Sequence, residues 1–326
     1  MDDVTRDFAA WIRHRKHPLI CTHIRPDGDA YGSLYGFVLA LFEAGFECTG
    51  YMSTPLPGRY EGLLNHPPNL LINARPPADC DSVIYLDTAS PERADAPHGF
   101  APGKCDLPVA NLDHHPDNAG YGDINLIDPE SAATAAMLID ILQELGVSLS
   151  PETATCLLTG LVMDCGGFRF RNTDPQALRI AARLIEAGGD LHRVMDHMFF
   201  QEPLGVLRLK ADLLQHAQFA CEQRLIYAVM DAERRTTFGV AANETEGVID
   251  ILRSVRGTLI TCLLQPQGND VRLSLRGRDP DYPVDEIART LGGGGHALAA
   301  GAELEDTSVA EAKQQLIELV RKVLEK

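Results

Sequence analysis

Short apolar runs alternate with helix-patterned segments through the first half of the chain. Three runs of apolar residues, each ending in an acidic or histidine residue, predict buried strands at 18–23, 82–87 and 108–114. Apolar residues at helical spacing predict helices over 34–44, 131–145 and 151–163. This repetition favours an α/β fold built on a mostly parallel sheet with helices on both faces.

The second half has a different pattern. Residues 176–218 keep a helical spacing of apolar positions, and the runs that follow predict strands at 224–230, 259–265 and 271–277. An amphipathic pattern predicts a final helix over about 308–325. We therefore expect a first domain over 1–189, a helical linker over 190–218, and a smaller α/β domain with a mixed sheet over 219–326.

Composition supports two globular domains and restricts the partners. The chain has 326 residues, with 45% hydrophobic and 23% charged residues, and a formal charge of −17. Such acidity argues against binding to long nucleic acid or to an anionic membrane, so an anionic substrate needs a local basic region. Residues 253–278 provide one, because they contain five arginines and a single acidic residue, Asp270.

Cysteine usage and the N-terminal segment bear on location. The eight cysteines include no CxxC pair, which argues against a disulfide framework or a cysteine zinc site. The charged N-terminal segment is unlike a signal peptide, and no apolar run is long enough to cross a membrane. We expect a cytoplasmic protein.

Acidic residues and histidines follow the predicted strands. They are His23, Asp27 and Asp29 after the first strand, Asp87 after the second, and Asp113, His114 and His115 after the third. Asp164 ends a helical segment before a Gly-Gly turn. Each segment alone also fits a polar turn or a helix cap. Together they lie where parallel sheets bind ligands, and they fit a two-metal centre.

A glycine run, Gly292 to Gly295, precedes His296. Successive glycines let backbone N–H groups approach an anion closely. The apolar stretch that follows predicts a helix whose N-terminus would bind the anion, whereas the alternative is a flexible loop.

Taken in order, the segments HIRPDGD, LDTAS, DHH, TGLVMDCGGFRF, LSLRG and GGGGH resemble the DHH, or RecJ-like, phosphoesterase family. Within it, the resemblance is to bacterial enzymes that combine nanoRNase (oligoribonuclease) and adenosine 3′,5′-bisphosphate phosphatase activities. It implies that 1–189 is the catalytic domain, that 219–326 binds substrate, and that the active site lies in the cleft between them.

The resemblance also assigns roles to residues. It implies two Mn²⁺ ions, for which Mg²⁺ or Co²⁺ can substitute, with His23 and Asp27 on one ion, Asp29, His114 and Asp164 on the other, and Asp87 bridging. Asp113 would support the site, and His115 would contact the scissile phosphate. The implied substrate-binding residues are Arg276, Gly293, Gly294, Gly295, His296 and, more weakly supported, Arg256.

The implied activity is hydrolysis of short oligoribonucleotides to nucleoside monophosphates by a metal-bridging hydroxide, and also 3′-dephosphorylation of adenosine 3′,5′-bisphosphate. Two alternatives of the same superfamily stay open: a cyclic di-AMP or pApA phosphodiesterase, and an exopolyphosphatase or pyrophosphatase. A third is a nucleotide sensor with an inactive site. The expected partners are short RNA or nucleotides rather than long nucleic acid or a membrane, and a homodimer stays open.

Overall fold

The computed structural model describes residues 3–245 and 247–325. The chain divides into two compact units, residues 1–201 and 202–326. The division falls inside the segment 190–218, which the sequence analysis takes as the linker. Among the described residues, no helix is long and apolar enough to cross a membrane.

The described part of unit 1, residues 3–201, contains seven strands and six α-helices. Its strands are β1 (Pro18–His23), β2 (Thr49–Met52), β3 (Leu70–Ile72), β4 (Ser82–Leu86), β5 (Ala94–Asp95), β6 (Val109–Asp113) and β7 (Ile124–Ile127). Its helices are α1 (Asp3–Arg13), α2 (Gly28–Glu43), α3 (Thr134–Leu145), α4 (Pro151–Asp164), α5 (Pro175–Glu186) and α6 (Leu191–Phe199). The three strands predicted in this half are therefore confirmed as β1, β4 and β6.

The strands of unit 1 form one sheet in the order β3-β2-β1-β4-β6-β7, and only the short β5 pairs antiparallel, with β1. The predicted mostly parallel sheet is confirmed. After β1, the chain adds β2 and β3 on one side of β1. It then crosses back and adds β4 on the other side of β1. The strand order thus reverses between β1 and β4, and parallel sheets usually bind ligands in a crevice beyond the carboxyl ends of the strands at such a point.

The two faces of this sheet are covered differently. The large core cluster joins one face, which includes Ile20, Ile84 and Leu112, to residues of all six helices. The cluster on the other face joins Leu19 and Tyr85 to loop residues at 94–107 and 121, and it includes no described helix residue.

The prediction of helices on both faces is therefore wrong for the second face. Right-handed crossovers place the connection from β4 to β6 on that face. This connection, residues 87–108, is rich in proline, glycine and aspartate, and it forms only a short 3₁₀ turn and β5.

Helix α2 begins six residues before the predicted start at Leu34. Asp27 caps it, because its side chain accepts hydrogen bonds from the backbone nitrogens of Asp29 and Ala30. Helices α2 and α4 cross where two glycines meet: a Cβ on Gly32 would lie 2.5 Å from the backbone nitrogen of Gly160. The absence of both side chains allows the two helix backbones to approach closely.

The residues of unit 2 that the structure describes, 202–245 and 247–325, form five further α-helices and six strands. The helices are α7 (Leu204–Gln215), α8 (Ala232–Thr237), α9 (Asp250–Arg253), α10 (Val284–Thr290) and α11 (Val309–Leu324). The strands are β8 (Gln218–Ala220), β9 (Leu225–Val229), β10 (Ile260–Gln267), β11 (Asp270–Gly277), β12 (Gly294–His296) and β13 (Ala299–Leu304). The predicted strands at 224–230, 259–265 and 271–277 and the final helix are confirmed.

The sheet of unit 2 has the order β12-β13-β11-β10-β9-β8. Strands β9 and β10 are parallel and the other neighbours are antiparallel, so the sheet is mixed, as predicted. Strand β11 alternates between buried and partly buried residues. Its buried positions, such as Leu273, pack against α10 and α11, whereas Arg272, Ser274 and Arg276 lie on the other face.

Candidate functional site

The predicted ligands of unit 1 meet at the carboxyl edge of its sheet. His23 is the last residue of β1, Asp87 follows β4, and Asp113 is the last residue of β6. Asp87 has a φ of 55°, in the left-handed region that aspartate tolerates better than most residues. Such a backbone at the end of a strand turns the Asp87 side chain towards the crevice and is typical of functional sites.

The side chains form two groups that share Asp87. In the first group, Nε2 of His23 lies 3.5 Å from Oδ2 of Asp87 and 3.9 Å from Oδ1 of Asp27. In the second group, Nε2 of His114 lies 3.6 Å from the other oxygen, Oδ1, of Asp87. The two oxygens of one carboxylate therefore face two different histidines.

Asp164 and Asp29 complete the second group. Nε2 of His114 lies 3.2 Å from Oδ2 of Asp164 and 3.9 Å from Oδ2 of Asp29. Asp164 reaches the group because it is the last residue of α4, the helix that crosses α2. The structure thus brings together all six predicted metal ligands, of which only Asp27 is more than half exposed.

Both histidine rings are oriented as metal ligands usually are. Nδ1 of His23 is 2.8 Å from the carbonyl oxygen of Ile24, and Nδ1 of His114 is 3.2 Å from that of Ser131. A ring that donates from Nδ1 to a carbonyl presents the lone pair of Nε2, and this nitrogen faces the carboxylates in each case.

Asp29 is held by the start of helix α3, more than a hundred residues away in the chain. Its two oxygens accept hydrogen bonds from the backbone nitrogens of Thr134, at 2.6 Å, and Ala135, at 3.0 Å, and from the hydroxyl of Ser33. The residue before α3, Ala133, has no side chain that can cap the helix. Asp29 supplies the missing acceptor, so the helix terminus and the site stabilise each other.

Repulsion among the carboxylates and attraction to the histidines shift their pKa values in opposite directions. Burial, together with the carboxylate of Asp87, raises the pKa of Asp29 to about 7. Burial and the carboxylates of Asp29 and Asp27 raise the pKa of Asp164 well above its usual range. Burial would also raise the pKa of Asp87, but the hydrogen bond from His23 and the charges of His115 and His23 lower it.

Asp113 and His115 form a separate pair beside the cluster. Nδ1 of His115 is 2.7 Å from Oδ1 of Asp113, and the side-chain nitrogen of Asn118 donates to Oδ2 of Asp113 at 2.7 Å. Burial would lower the pKa of His115, but the hydrogen bond and charge of Asp113 raise it to about 9. The ring is therefore fixed through Nδ1, 3.6 Å from Oδ1 of Asp87.

Sequence reasoning missed the residues that hold the site in place. Thr134 donates from its hydroxyl to Oδ1 of Asp87 at 3.1 Å, and Asn118 donates to Asp113. Asn172 donates to the carbonyl oxygens of Ala132 and Asp164. Of these, Asn118 carries the clearest sequence signal, because it follows the Asp113-His114-His115 turn by three residues.

In unit 2, the strand register places two predicted substrate residues in one row. Ala299 of β13 pairs with Arg276 of β11 on one side and with His296 of β12 on the other. Residues directly opposite across strands point to the same face of a sheet. Arg276 and His296 therefore lie on one face, and Arg276 also lies 3.9 Å from Asp250. Arg256 is exposed, in the turn after α9.

The prediction of a helix N-terminus at the glycine run is wrong. Gly294–His296 is strand β12, and the apolar stretch after it is strand β13, its antiparallel partner. The stretch is too short for periodicity to distinguish a strand from a helix. Two of the three glycines at 293–295 have a packing reason: a Cβ on Gly293 would lie 2.0 Å from the carbonyl oxygen of Gly301, and one on Gly295 2.6 Å from that of Ala299.

The donor set at the carboxyl edge fits two divalent cations. Imidazole nitrogens and carboxylate oxygens are ligands for Mn²⁺ and similar ions, and the pKa shifts show like charges gathered at close range. Several sets of three side chains at this edge are close enough to hold one ion, and two of them are His23, Asp27 and Asp87, and Asp29, Asp87 and His114. Asp87 belongs to both, as a bridging ligand must.

Comparison with known proteins identifies the family of this chain. The family model described as the DHH family, N-terminal domain, matches residues 18–161, and the DHHA1 domain matches residues 222–326. The bifunctional oligoribonuclease and PAP phosphatase NrnA of Thermus thermophilus is 34% identical over 94% of this chain and 89% of its own. The protein of the same name from Bacillus subtilis is 26% identical over 86% and 87%.

Solved structures share the fold. An exopolyphosphatase-related protein from Bacteroides fragilis superposes with a TM-score of 0.85 at 21% identity, over 99% of this chain and 98% of that one. RecJ of Thermus thermophilus gives a TM-score of 0.55 at 14% identity, over 98% of this chain and 55% of that one. With both domains matched in order and a 34% identical relative over nearly its whole length, the chain belongs to the DHH phosphoesterase family.

Proposed function

We propose that this protein hydrolyses short oligoribonucleotides to nucleoside monophosphates and removes the 3′-phosphate of adenosine 3′,5′-bisphosphate. The observation that carries the proposal is the buried cluster in which Asp87 lies between His23 and His114, with His115 beside it. The names of the relatives from Thermus and Bacillus state the same pair of activities for those proteins.

We propose that His23, Asp27, Asp29, Asp87, His114 and Asp164 hold two divalent cations, in the cell Mn²⁺. When bound, such a pair lowers the pKa of water at the site and offsets negative charge on a reacting phosphate. The chain's own contribution is a fixed donor set, because backbone N–H groups hold Asp29 and the Thr134 hydroxyl holds Asp87.

His115 is the residue proposed to touch the scissile phosphate. Asp113 accepts the hydrogen bond of its Nδ1, so Nε2 is the atom that would donate to a phosphate oxygen or to the departing oxygen. Asn118 and the backbone nitrogen of His114 hold Asp113 in turn. This chain of hydrogen bonds orients the ring before substrate arrives.

Unit 2 is proposed to hold the end of the substrate that does not react. Arg276 and His296 lie on one face of the sheet and offer donors to a terminal phosphate or a base. Gly294 lies two residues before His296 on the same strand, opposite Gly301, where two residues without side chains leave room for a ligand. Arg256 and the backbone of the glycine run would add weaker contacts. A chain with a charge of −17 favours substrates with few phosphates.

The test is a side-by-side product assay with Mn²⁺. The substrates are a short RNA labelled at either end, pApA, cyclic di-AMP, adenosine 3′,5′-bisphosphate, pyrophosphate and polyphosphate. We expect mononucleotides from the RNA and from pApA, and phosphate from the bisphosphate. Hydrolysis of only pyrophosphate or polyphosphate would refute the proposal, preference for cyclic di-AMP would favour the phosphodiesterase alternative, and binding without turnover would favour a sensor.

A further inference from the structure

A second cluster of ligand-type side chains lies at the opposite edge of the same sheet. His17 directly precedes β1, Glu47 lies two residues before β2, and Asp79 lies three residues before β4. Nδ1 of His17 is 3.3 Å from Oδ1 of Asp79 and 3.9 Å from Oε1 of Glu47. The three strands are neighbours in the order β2-β1-β4, so their amino ends bring the three side chains together.

The His17 ring is buried and aimed into this cluster. The residue is only 7% exposed, and its Nδ1 is buried without a hydrogen-bond partner in the part of the chain that the structure describes. The other ring nitrogen, Nε2, lies 2.8 Å from the hydroxyl oxygen of Thr49. A ring that donates from Nε2 to Thr49 presents the lone pair of Nδ1 to two carboxylates, which is unfavourable unless a cation lies between them.

The backbone around His17 is fixed. Asp81 accepts hydrogen bonds from the backbone nitrogens of Lys16, at 2.8 Å, and His17, at 3.2 Å, and its own nitrogen donates to the carbonyl oxygen of His17. The segments before β1 and β4 are therefore joined at this point. By contrast, the side chains of Glu47 and Asp79 are 72% and 70% exposed and are free to adjust.

We propose that His17, Glu47 and Asp79 bind a divalent transition-metal cation of the zinc type, separate from the metal centre at the carboxyl edge. Ligands at about 2.1 Å from a tetrahedral zinc ion are about 3.4 Å apart. The observed 3.3 Å between His17 and Asp79 matches this value, and Glu47 needs to move by only about half an ångström to reach it. Water would occupy the position left open by three protein ligands.

The role of this ion is to join the amino ends of β1, β2 and β4. The site does not depend on the proposed function, because six residues of an extended strand, about 20 Å, separate His17 from His23. One imidazole nitrogen and two carboxylate oxygens are ligands that zinc accepts, and the buried His17 fixes one of them in place.

The test uses Zn²⁺ alone as the probe on the full chain. We expect the wild type to bind one more equivalent of Zn²⁺ than Asp79→Asn and Glu47→Gln, as measured by titration against a chromophoric chelator. Both side chains are largely exposed, so these variants should fold. Glu186→Gln, an exposed change on α5, is the matched control and should keep the full stoichiometry.

A zinc-soaked crystal provides a second readout. Anomalous scattering at the zinc edge should give a peak between Nδ1 of His17 and Oδ1 of Asp79 in the wild type, and none in His17→Gln. Hydrolysis with Mn²⁺ should be unchanged in Asp79→Asn. Equal zinc stoichiometry in wild type and variants, or no peak near His17, would overturn the proposal and leave the cluster as a contact between three side chains without an ion.

Discussion

The carboxylate–histidine cluster of unit 1 and the sheet face of unit 2 that carries Arg276 and His296 hold their side chains in opposite ways. Asp29 is 1% exposed and accepts three hydrogen bonds from Ser33, Thr134 and Ala135. The Arg276 side chain is 27% exposed; it donates to its neighbour's carbonyl oxygen and lies 3.9 Å from Asp250. A fixed cluster suits chemistry that needs fixed distances, whereas a half-exposed face suits a ligand that differs from substrate to substrate.

The strongest test of this comparison removes the shared carboxylate. Asp87→Asn should lower kcat by about 10³-fold, because an amide cannot bridge two cations or offset charge at the phosphate. Asparagine is preferable to alanine here because it tolerates the positive φ of Asp87. The measurement is steady-state hydrolysis of pApA with Mn²⁺, with circular dichroism as the check on folding. Near-normal turnover by a folded variant would refute the assignment of the metal centre.

A second change acts on the cluster through its support. Asn118→Ala should lower kcat by roughly 10- to 100-fold with little change in KM, because Asp113 loses the donor that fixes it against His115. Asn65→Ala, an exposed asparagine that contacts Glu152, is the control. If KM rises while kcat stays constant, Asn118 contributes to substrate binding instead and the proposed orientation of His115 is wrong.

For the substrate-binding residues proposed in unit 2, we expect substitutions to change KM rather than kcat. Arg276→Gln should raise KM for a dinucleotide by about 10-fold or more and change kcat little, since a charge-assisted hydrogen bond contributes about 1.5–3 kcal/mol. Arg208→Gln, an exposed arginine on α7, controls for the loss of one positive charge. A fall in kcat with no change in KM would mean that Arg276 acts on the reacting groups. It would also refute the proposed difference between the two units.

The smallest expected effect is on the midpoint of thermal unfolding, Tm. A chelator should lower the Tm of the wild type, and excess Mn²⁺ should raise it by about 5 °C, because a ligand that binds only the folded state stabilises it. The physical reason is that cations offset the burial of charge and the repulsion between carboxylates, which together raise the pKa values of Asp29 and Asp164. Asp87→Asn should respond to Mn²⁺ by a much smaller shift. An equal shift in both proteins would mean that Mn²⁺ stabilises the fold from elsewhere.

Sequence predicted the parts of this fold that carry long apolar runs. Strands β1, β4 and β6 could be located because each is buried along its whole length. Strands β2, β3 and β7 have only three or four residues, too few for any period to stand out. The helix predicted after the glycine run was wrong for the same reason, because the apolar stretch that follows the run is also too short for a period to stand out.

In the candidate site, the sequence predicted only residues of the types that commonly bind metal ions. Aspartates and histidines at strand ends indicate a metal centre, and the structure gathers every one of those predicted. Thr134 carries no such signal, and its hydrogen bonds reach Asp29 and Asp87 from distant parts of the chain. Only the folded arrangement of α3 against the sheet reveals its role.

The crossing of α2 and α4 also fixes how close the carboxylates of the cluster lie to one another. Asp27 and Asp29 lie at the start of α2, and Asp164 ends α4, so the separation of the two helix axes sets the distance between these ligands. A Cβ on Gly160 would lie 2.7 Å from Oδ1 of Asp29. A methyl group at this contact would displace Asp29 without removing any side chain of the cluster, so the spacing of the cluster depends on a glycine as well as on its carboxylates and histidines.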